Sequence, residues 1–394
     1  MSTPIPPRRG TNLPRMGDYN SSVILDAIRR AEDGLSRVEL AAATGLSAQT
    51  VSNICRRLLA DGLNTAAGRR GGGVGMPRTL LRVVPDARFA LGVHLDPASV
   101  TYVVLDLDGR LVHRESRPTP TVVDQETTIA DMASTIERVI DESGAPRERF
   151  LGLGIAVPGP VDVGAGSLIA PPLLAGWERV PLRDRLAEAT GLPALMDKDV
   201  IAAAVAERWA GEAAGSSDFL FFYLGTGSGM GVVSGDNVLR GASGNAGEVG
   251  GLDMNCTTLG LVEEAVARGI LEPGDDGPHA AEERVAHLAE LAATDERARE
   301  IIDAWAHRVA RGVAAAATLL DSDLVVFGGP MWDVLGERFG AIVDPFVTGW
   351  PFAAMPHGIR VVSSQLGYDV GAVGAACLVL NQTLAPRPQT LLLG

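Results

Sequence analysis

The stretch from Ser36 to Leu63, SRVELAAATGLSAQTVSNICRRLLADGL, constrains the fold of this chain more than any other. Its apolar residues recur every three or four positions on either side of Thr44-Gly45-Leu46, where glycine allows a positive φ without steric cost. The spacing predicts two short helices that meet at a sharp angle. The apolar positions are Val38, Leu40, Ala41, Leu46, Val51, Ile54, Leu58 and Leu59.

The second of these helices carries side chains that can reach base edges and phosphates. It begins after an expected N-cap at Ser47. The polar positions are Ser47, Gln49, Thr50, Ser52, Asn53, Arg56 and Arg57. The pattern favours a DNA-reading helix-turn-helix, and the alternative is a plain helical hairpin with a solvated face.

A Gly-rich basic segment, NTAAGRRGGGVGMPRTLLRVV, follows the helix pair. Two short stretches on either side of its glycines could pair as a β-hairpin, which is the shape of a wing. Arg69, Arg70 and Arg78 lie near the glycine-rich tip, so they are candidates for insertion into a minor groove. A flexible linker is the alternative interpretation, and one segment could serve both purposes.

Charge is unevenly distributed along the 394 residues. The formal net charge of the whole chain is −14, yet residues 1–88 carry +6 and the remainder carries −20. A basic head on an acidic body is expected when one domain contacts phosphate and the other does not.

Three segments are expected from the composition. Residues 1–17 are Pro-rich and basic and predict a disordered arm. Residues 18–84 predict a winged helix-turn-helix domain with a first helix over 19–32, and residues 85–394 predict a separate domain.

No apolar run reaches the roughly 18 residues that cross a bilayer, and the N-terminus lacks the apolar core of a signal peptide. Three widely spaced cysteines favour a reducing compartment. We therefore expect a cytoplasmic protein.

From Phe89 onward, strand and helix patterns alternate, which predicts a layered α/β fold with two similar lobes around a cleft. ALGVHLDPASVTYVVLDLDGRLVHRE predicts two strands with a turn at Asp108-Gly109, and a helix is expected over 127–143. LEPGDDGPHAAEERVAHLAELAATDERA predicts an acidic, solvated helical surface that is a candidate dimer contact.

Eight motifs fall in the order and approximate spacing of the ROK family of sugar kinases and transcriptional repressors, which this chain resembles. They are NSSVILDAI, SRVELAAATGLSAQTVS, GIAVPGPVD, APPLLAGWERVPL, MDKDVIAAAVAE, YLGTGSGMG, GNAGEVGG and VVFGGP. The resemblance implies a two-lobed, actin-like and ribonuclease-H-like kinase fold behind the winged helix. Because the family's repressors carry the winged helix and its kinases lack it, the chain is similar to the repressors.

The resemblance also exposes departures in the first phosphate loop. The family has D-x-G-G-T there, whereas this chain has His94, Asp96, Pro97 and Ala98 at the informative positions. An acid, two cradle glycines and a hydroxyl are replaced, and Pro97 has no N–H to donate. We expect this loop to bind ATP phosphates poorly, although the glycines of 225–231 and Gly328-Gly329 remain.

The sugar and zinc positions implied by the family are also incomplete. Of an Asn-Asp pair and a Glu-x-x-His pair, Asp197 and Glu248 remain, while Met196 replaces the Asn and Gly251 replaces the His. Cys256 alone stands for a family cysteine cluster, and one thiol cannot complete a four-ligand zinc site. We expect neither a metal nor a cofactor.

The sequence therefore predicts a DNA-binding ROK regulator, acting as a repressor, whose body is a degenerate kinase and not an enzyme. Its partners would be an inverted-repeat DNA operator, a second copy or a dimer of dimers, and a sugar-like effector held near Gly159, Asp197 and Glu248. The alternatives are a sugar kinase with a DNA-binding appendage, a scaffold that binds neither, and a vestigial pocket.

Overall fold

A computed structural model describes residues 13–70, 77–120, 124–252, 254, 256–275, 277–350 and 356–384. The described chain divides into two compact units. The head contains the described residues up to Phe89 together with 106–108 and 380–384, and the body contains those of 90–105 and 109–379.

The head is a three-helix bundle with a small sheet. Its elements are α1 Leu13–Arg29, β1 Leu35–Ser36, α2 Arg37–Thr44, α3 Ala48–Ala60, β2 Asn64–Arg70 and β3 Arg78–Val83. Helix α2 begins with a capping box, in which Ser36 Oγ accepts from Glu39 N at 3.3 Å and Ser36 N donates to Glu39 Oε2 at 2.7 Å. Gly45 ends α2 with φ at 70°. The two helices and the sharp turn between them are therefore confirmed.

Strands β2 and β3 pair antiparallel, and β1 pairs with the other edge of β3. The two strands of the predicted wing hairpin are therefore confirmed. Residues 71–76 between them lie outside the described residues. Helix α1 packs against α2, α3 and β3. It begins at Leu13, inside the stretch expected to be a disordered arm, and the remainder of that arm, residues 1–12, lies outside the described residues.

Of the apolar positions assigned to the helix-pair core, Ala41 and Leu46 are half-buried and two others are exposed. Val38 is 56 % exposed and Leu59 is 47 % exposed. Helical geometry explains both, since residues two apart lie on nearly opposite sides of a helix and adjacent ones lie 100° apart. Leu40 and Leu58 face the core, and Val38 and Leu59 point away from it.

Strands of the body follow in chain order. They are β4 Phe89–Leu95, β5 Ser99–Asp106, β6 Leu111–Pro118, β7 Phe150–Val157, β8 Val161–Asp162, β9 Ser167–Leu168, β10 Ala194–Lys198, β11 Phe219–Leu224, β12 Ser228–Ser234, β13 Asn237–Val238, β14 Leu324–Gly328 and β15 Arg360–Ser363. The helices are α4 Gln125–Ser143, α5 Leu182–Thr190, α6 Asp199–Ala210, α7 Thr258–Ala267, α8 Pro278–Leu291, α9 Glu296–Leu320, α10 Pro330–Thr348 and α11 Val370–Leu384.

Two five-stranded sheets form the body, in the orders β10-β7-β4-β5-β6 and β13-β12-β11-β14-β15. Strand β11 pairs antiparallel with β12 and parallel with β14, and β10 runs parallel to β7. Each sheet is the centre of one lobe, which confirms the predicted α/β architecture. The first stretch holds three strands where two were expected, because the chain turns back at 96–98 as well as near Asp108-Gly109.

Helices α6 and α11 consist largely of small residues because each packs closely against other backbone. Helix α6 contacts β7 and β10 of the first sheet and β11 and β12 of the second. A Cβ on Gly374 of α11 would overlap the backbone of Ala202 in α6, and one on Gly154 of β7 would overlap the backbone of Ala375 in α11. The close contacts of α6 with both sheets join the lobes.

Helix α8 lies in the segment expected to be a solvated surface, and the structure corrects this in part. Ala281, Val285 and Leu288 of α8 are fully buried in the core of the second lobe. The acidic residues of the segment lie mainly on its other side. Among the described residues, no helix combines the length and apolarity that crossing a membrane requires.

Replacing Gly154 by alanine should destabilise the body by about 1–3 kcal/mol or more, because the new methyl group would force α11 away from β7. Gly340→Ala is the matched control, since nothing lies within 4 Å of a Cβ there and alanine favours the interior of α10. Thermal melting followed by circular dichroism should show a lower transition for Gly154→Ala alone. Equal melting of the two variants would contradict this packing.

Candidate functional site

Helix α3 presents a row of polar side chains on its exposed side. Gln49, Asn53 and Arg56 are exposed and lie at positions i, i+4 and i+7, which places them along one face. Asn53 Oδ1 accepts from Gln49 Nε2 at 3.3 Å and from Arg56 Nη1 at 3.4 Å. The row therefore combines amide groups suited to base edges with a guanidinium group, in a connected arrangement.

The remaining polar residues of α3 have partners within the head. Ser47 Oγ caps α3 by accepting from Thr50 N at 3.2 Å, and the two hydroxyls lie 2.9 Å apart. Ser52 is half-buried. Arg57 donates to Ser21 Oγ of α1, so part of its guanidinium group binds within the head. Gln49, Asn53 and Arg56 are the most available of the predicted DNA-facing residues on this helix.

The arginines of the wing lie where its two strands approach the tip. Arg69 and Arg70 are the last residues of β2, and they pair in register with Thr79 and Arg78 of β3. Arg78 is exposed. The side chains of Arg69 and Arg70 lie outside the described residues.

A cavity of about 290 Å³ lies in the body between the two lobes. The residues after β4, β7 and β10 line it from the first lobe, because these neighbouring strands end at one edge of their sheet. The turn after β11 and the segment near Glu248 line it from the second lobe. The main lining residues are Asp96, Pro97, Pro158, Gly159, Pro172, Leu173, Lys198, Asp199, Val200, Tyr223, Thr226, Gly227, Ser228, Gly229, Glu248, Gly250 and Thr257.

The structure brings together two of the three predicted effector residues, Gly159 and Glu248, and places Asp197 elsewhere. Asp197 is buried, and its Oδ2 accepts from Arg240 Nε at 2.7 Å. Burial raises the pKa of Asp197, and Arg240 opposes that rise. Asp199, two residues further on, lines the cavity together with Lys198, whereas Asp197 is not among the lining residues. Met196 is buried within β10.

The sequence pattern did not predict Lys198 as a residue of the site, although it is the only lysine of the chain. Its side chain is 3 % exposed, and Nζ donates to Glu248 Oε1 at 2.5 Å and to the Ala246 carbonyl at 3.2 Å. A Cβ at Gly159 would lie 2.6 Å from Glu248 Oε1 and 3.0 Å from Lys198 Cε. A side chain at position 159 would therefore displace the ends of Glu248 and Lys198 from the positions in which they pair.

The loop after β4, at the position of the family's first phosphate loop, contacts the turn after β11 through Asp96. Its Oδ1 accepts from Thr226 Oγ1 at 2.8 Å and from Ala98 N at 2.9 Å. Thr226 lies in the turn between β11 and β12, and its hydroxyl is also 3.4 Å from Glu282 Oε1 of α8. The carboxylate of Asp96 thus occupies the space that glycine would leave open.

Carboxyl groups with displaced pKa values gather on this side of the cavity. Burial raises the pKa of Asp199 to about 7, helped by the charges of Asp96 and Glu248, and burial together with Asp96 raises that of Glu282 to about 7. The Tyr223 hydroxyl is buried and has no hydrogen-bond partner within the described structure. The three acids Asp96, Asp199 and Glu282 all raise the pKa of Tyr223 beyond the effect of its burial.

His94 and Cys256 are core residues. His94 is 4 % exposed, burial lowers its pKa, and its ring lies edge-on to Tyr223 with centroids 6.3 Å apart. Cys256 is buried among apolar side chains of the second lobe, and burial raises the pKa of its thiol. No group of three or more His, Cys, Asp or Glu suited to a metal ion occurs within the described ranges. Gly251 lies in the short turn Gly250–Leu252.

Comparison with known proteins identifies both units. The model described as ROK family matches residues 90–382, and the model described as MarR family matches residues 15–63. The first match spans most of the body and the second spans the three helices of the head.

Two relatives differ in how much of the chain they cover. A xylose repressor from Caldicellulosiruptor bescii is 24 % identical over 372 residues, with 89 % of this chain and 93 % of that protein covered. A glucokinase from Halalkalibacterium halodurans is 26 % identical over 323 residues, with 75 % of this chain and 96 % of that protein covered. A match over 89 % of the chain must include most of the head.

Among solved structures, a ROK family transcriptional regulator described as a homolog of the E. coli MLC protein matches with a TM-score of 0.73. It is 19 % identical, and 94 % of this chain and 97 % of that chain are covered. At this identity the match establishes the fold: a winged-helix head with a body of the ROK type.

The raised pKa values predict an unusual dependence of stability on pH. Unfolded Asp and Glu titrate near 4, whereas Asp199 and Glu282 titrate near 7 in the folded body. The protonated forms therefore stabilise the fold fully below about pH 4, and this contribution is lost as the pH rises through about 7. Asp199→Asn should gain stability relative to the wild type between pH 5 and 8, by several degrees in melting temperature.

Asp218→Asn is the control for this titration. The pKa of Asp218 is lowered, first by the Ser217 hydroxyl and then by hydrogen bonds from Gly235 and Ser234, so its replacement should bring no gain at pH 8. Parallel melting curves for Asp199→Asn and the wild type at every pH would show that Asp199 is ionised throughout.

Proposed function

The chain belongs to the ROK family, and from this premise we propose that it is a DNA-binding transcriptional repressor whose body senses a sugar-like metabolite. The observation that carries the proposal is the exposed row of Gln49, Asn53 and Arg56 on a capped second helix, followed by a wing with arginines at its tip. A winged helix places such a row in the major groove. The xylose repressor relative, which matches over head and body, supports the same function.

Arginine residues in the wing support a second contact. Glycine-rich backbone around them allows close approach to a groove, and Arg69, Arg70 and Arg78 supply charge for phosphates or for a narrow minor groove. Because nearly all of the acidic excess lies outside residues 1–88, the head can approach DNA without strong repulsion from its own charges.

We further propose a homodimer that binds an inverted repeat. A single winged helix contacts too few base pairs for useful specificity, and a two-fold symmetric protein matches two half-sites about one helical turn, or a multiple of it, apart. A dimer of dimers would engage two such sites. A regulator of this kind acts where DNA is accessible, so we place the protein in the cytoplasm.

Several features of the body favour loss of kinase activity over the alternative of a sugar kinase with a DNA-binding appendage. Asp96 closes the first loop onto Thr226, Pro97 offers no N–H to a phosphate, and a buried cluster of carboxyl groups repels anions nearby. His94 replaces the acid of that loop and is buried without a partner for Nε2 among the described residues. These residues do not fit a nucleoside triphosphate with its magnesium ion.

The zinc site of the family fits this chain no better. The thiol of Cys256 is directed into apolar packing, and Gly251 stands where the family has a histidine ligand. A zinc ion needs four ligands in a structural site. We propose that the second lobe is stabilised by its apolar core alone.

The effector site that we propose consists of Gly159, Asp199 and Glu248 with Lys198, in place of the set that included Asp197. Carboxylates, an ammonium group and the Tyr223 hydroxyl can hydrogen-bond to a hydroxyl-rich ligand. A volume of about 290 Å³ lies at the lower end of the range for small-molecule pockets, which suits a monosaccharide. A vestigial pocket is the alternative, in which no sugar affects DNA binding.

Substitutions in the head should separate base reading from phosphate binding. Gln49→Ala and Asn53→Ala should relax base preference and cost about 1–3 kcal/mol on the operator, while Arg56→Ala and Arg70→Ala should weaken binding on all sequences and reduce the salt slope by about one. Fluorescence anisotropy with operator and scrambled DNA at several salt concentrations measures both effects. Arg30→Ala is the control, since Arg30 pairs with Asp26 in α1.

Two outcomes would contradict these roles: an equal loss on every sequence for all four variants, or footprints that show only single half-sites occupied by a monomer. Selection of bound fragments from genomic DNA would supply the operator for both experiments.

We expect the purified protein to form no sugar phosphate from ATP. A coupled assay with glucose, xylose and mannose should stay at background with the wild type, whereas a typical enzyme turns over about 1 to 10³ times per second. Turnover in that range that disappears in Asp199→Asn would establish the kinase alternative. Elemental analysis of the same sample should find no stoichiometric zinc.

A further inference from the structure

The charges that line the cavity do not balance. Lys198 is the only basic side chain among its described lining residues, and Glu248 already neutralises it at 2.5 Å. Asp96 and Asp199 line the cavity as well, and Glu282 lies behind Thr226. No described basic side chain forms an ion pair with these three acids.

The hydrogen bonds of the three acids come from neutral groups. Asp96 accepts from the Thr226 hydroxyl and the Ala98 backbone, and Asp199 Oδ1 accepts from Val200 N at 2.7 Å. Neutral donors stabilise a carboxylate less than a cation does. In the empty cavity, Asp199 and Glu282 relieve part of this negative charge by holding protons near neutral pH, and a bound cation would favour their ionised forms.

The Tyr223 hydroxyl is a second and independent sign of a missing polar ligand. The side chain is 2 % exposed and lines the cavity, and its oxygen has no partner among the described residues. A buried hydroxyl without a hydrogen bond is unfavourable, so a ligand that supplies the bond gains affinity. Tyr223 lies beside the same acids, whose charges raise its pKa.

Part of the cavity lining is apolar. Pro97, Pro158, Pro172 and Leu173 contribute lining atoms, and Leu173 is held at φ 61°, a left-handed conformation that leucine rarely adopts. Such a wall can cover the carbon–hydrogen face of a ring, while the acids and Tyr223 contact its substituents.

We propose that the cavity selects a polyhydroxylated ring that carries a protonated primary amine, as in amino sugars and aminocyclitols. The proposal rests on the effector role given above and specifies the chemistry of that effector. The ammonium group would lie between Asp96 and Asp199, a neighbouring hydroxyl would bond to Tyr223, and Lys198 with Glu248 would contact the remaining hydroxyls.

A divalent cation fits these acids less well than an ammonium group does. Magnesium and calcium ions prefer about six or more oxygen ligands in a defined geometry. The described residues offer no group of three side chains arranged to hold a metal ion. A neutral sugar would satisfy Tyr223 but would leave the acids without a counter-charge.

Matched pairs of ligands test the proposal directly. Glucose with glucosamine, galactose with galactosamine and mannose with mannosamine differ only in the amine, and N-acetylglucosamine restores neutrality at similar size. Isothermal titration with the full-length protein at pH 7 should show at least about tenfold tighter binding for the amine in at least one pair, with no gain for the acetylated sugar. Release of the operator should follow the same order.

Variants of the protein locate the preference. Asp199→Asn and Asp96→Asn should reduce the ratio of amine to hydroxyl affinity to about one, and thermal melting checks that both are folded. Asp197→Asn should keep the ratio, because Arg240 holds that carboxylate outside the cavity lining. Titration in buffers of different ionisation enthalpy should show proton release on binding, since the ammonium group favours ionised Asp199.

The outcomes separate this inference from the proposed function. Equal affinities within every pair, tighter binding of the acetylated sugar, or no binding of any amine would overturn it, while operator binding by the free protein would leave the repressor assignment intact. Magnesium chloride alone is a further arm: stabilisation by Mg²⁺ that Asp199→Asn abolishes would assign the acids to a metal and overturn the amine. Failure to bind any operator would contradict the proposed function instead.

Discussion

The ion pair between Lys198 and Glu248 is the interaction on which the arrangement of the cavity depends. A buried ammonium group costs several kcal/mol unless a partner and hydrogen bonds compensate it, and Glu248 together with the Ala246 carbonyl provides both. Glu248 is itself held beside β12 by a backbone bridge to Gly229. One charge pair thus connects the junction of β10 and α6 to a segment of the second lobe, and the absence of a side chain at Gly159 leaves room for it.

The small residues of α6 and α11 also connect the two lobes, because they allow close packing of backbone against backbone. Alanine and glycine allow α6 to contact strands of both sheets and allow α11 to approach α6 and β7 closely. Interiors packed in this way deform little, so a change in the cavity moves whole elements instead of single side chains. A ligand that binds one arrangement of the lobes more tightly than another can shift their equilibrium, which is what a sensor requires.

Under the function proposed above, the first loop would serve a sensor and not a kinase. In place of the glycines and the hydroxyl of the family loop, Asp96, Pro97 and Ala98 offer fewer donors and one more negative charge, and Asp96 accepts a hydrogen bond from Thr226 that connects the two loops. Chemistry requires groups placed for a transition state, whereas sensing requires only a difference in affinity between two states. The acids around Tyr223 can serve the second purpose without the first.

The sequence by itself determined the features that depend on near neighbours along the chain: the N-cap at Ser47, the glycine turn between the reading helices, the hairpin of the wing and the alternation of strand and helix. These are set by helical period and by backbone conformation, which act over a few residues. The same alternation predicted two lobes around a cleft, and the family resemblance implied their kinase-like fold. The motif MDKD carries two carboxyl groups two residues apart; the resemblance implied Asp197 for the effector site, whereas Asp199 lines the cavity.

Only the tertiary structure decided which of these acids lines the cavity. Asp197 is bound by Arg240, 43 residues further along the chain, and no local pattern indicates that partner. Lys198 pairs with Glu248 over 50 residues, and Asp96 with Thr226 over 130. Val38 and Leu59 are apolar, yet the orientation of their helices in the head leaves both side chains exposed. Which carboxyl group lines the cavity, and which apolar side chain of a helix is buried, depends on contacts between segments that are distant in the sequence.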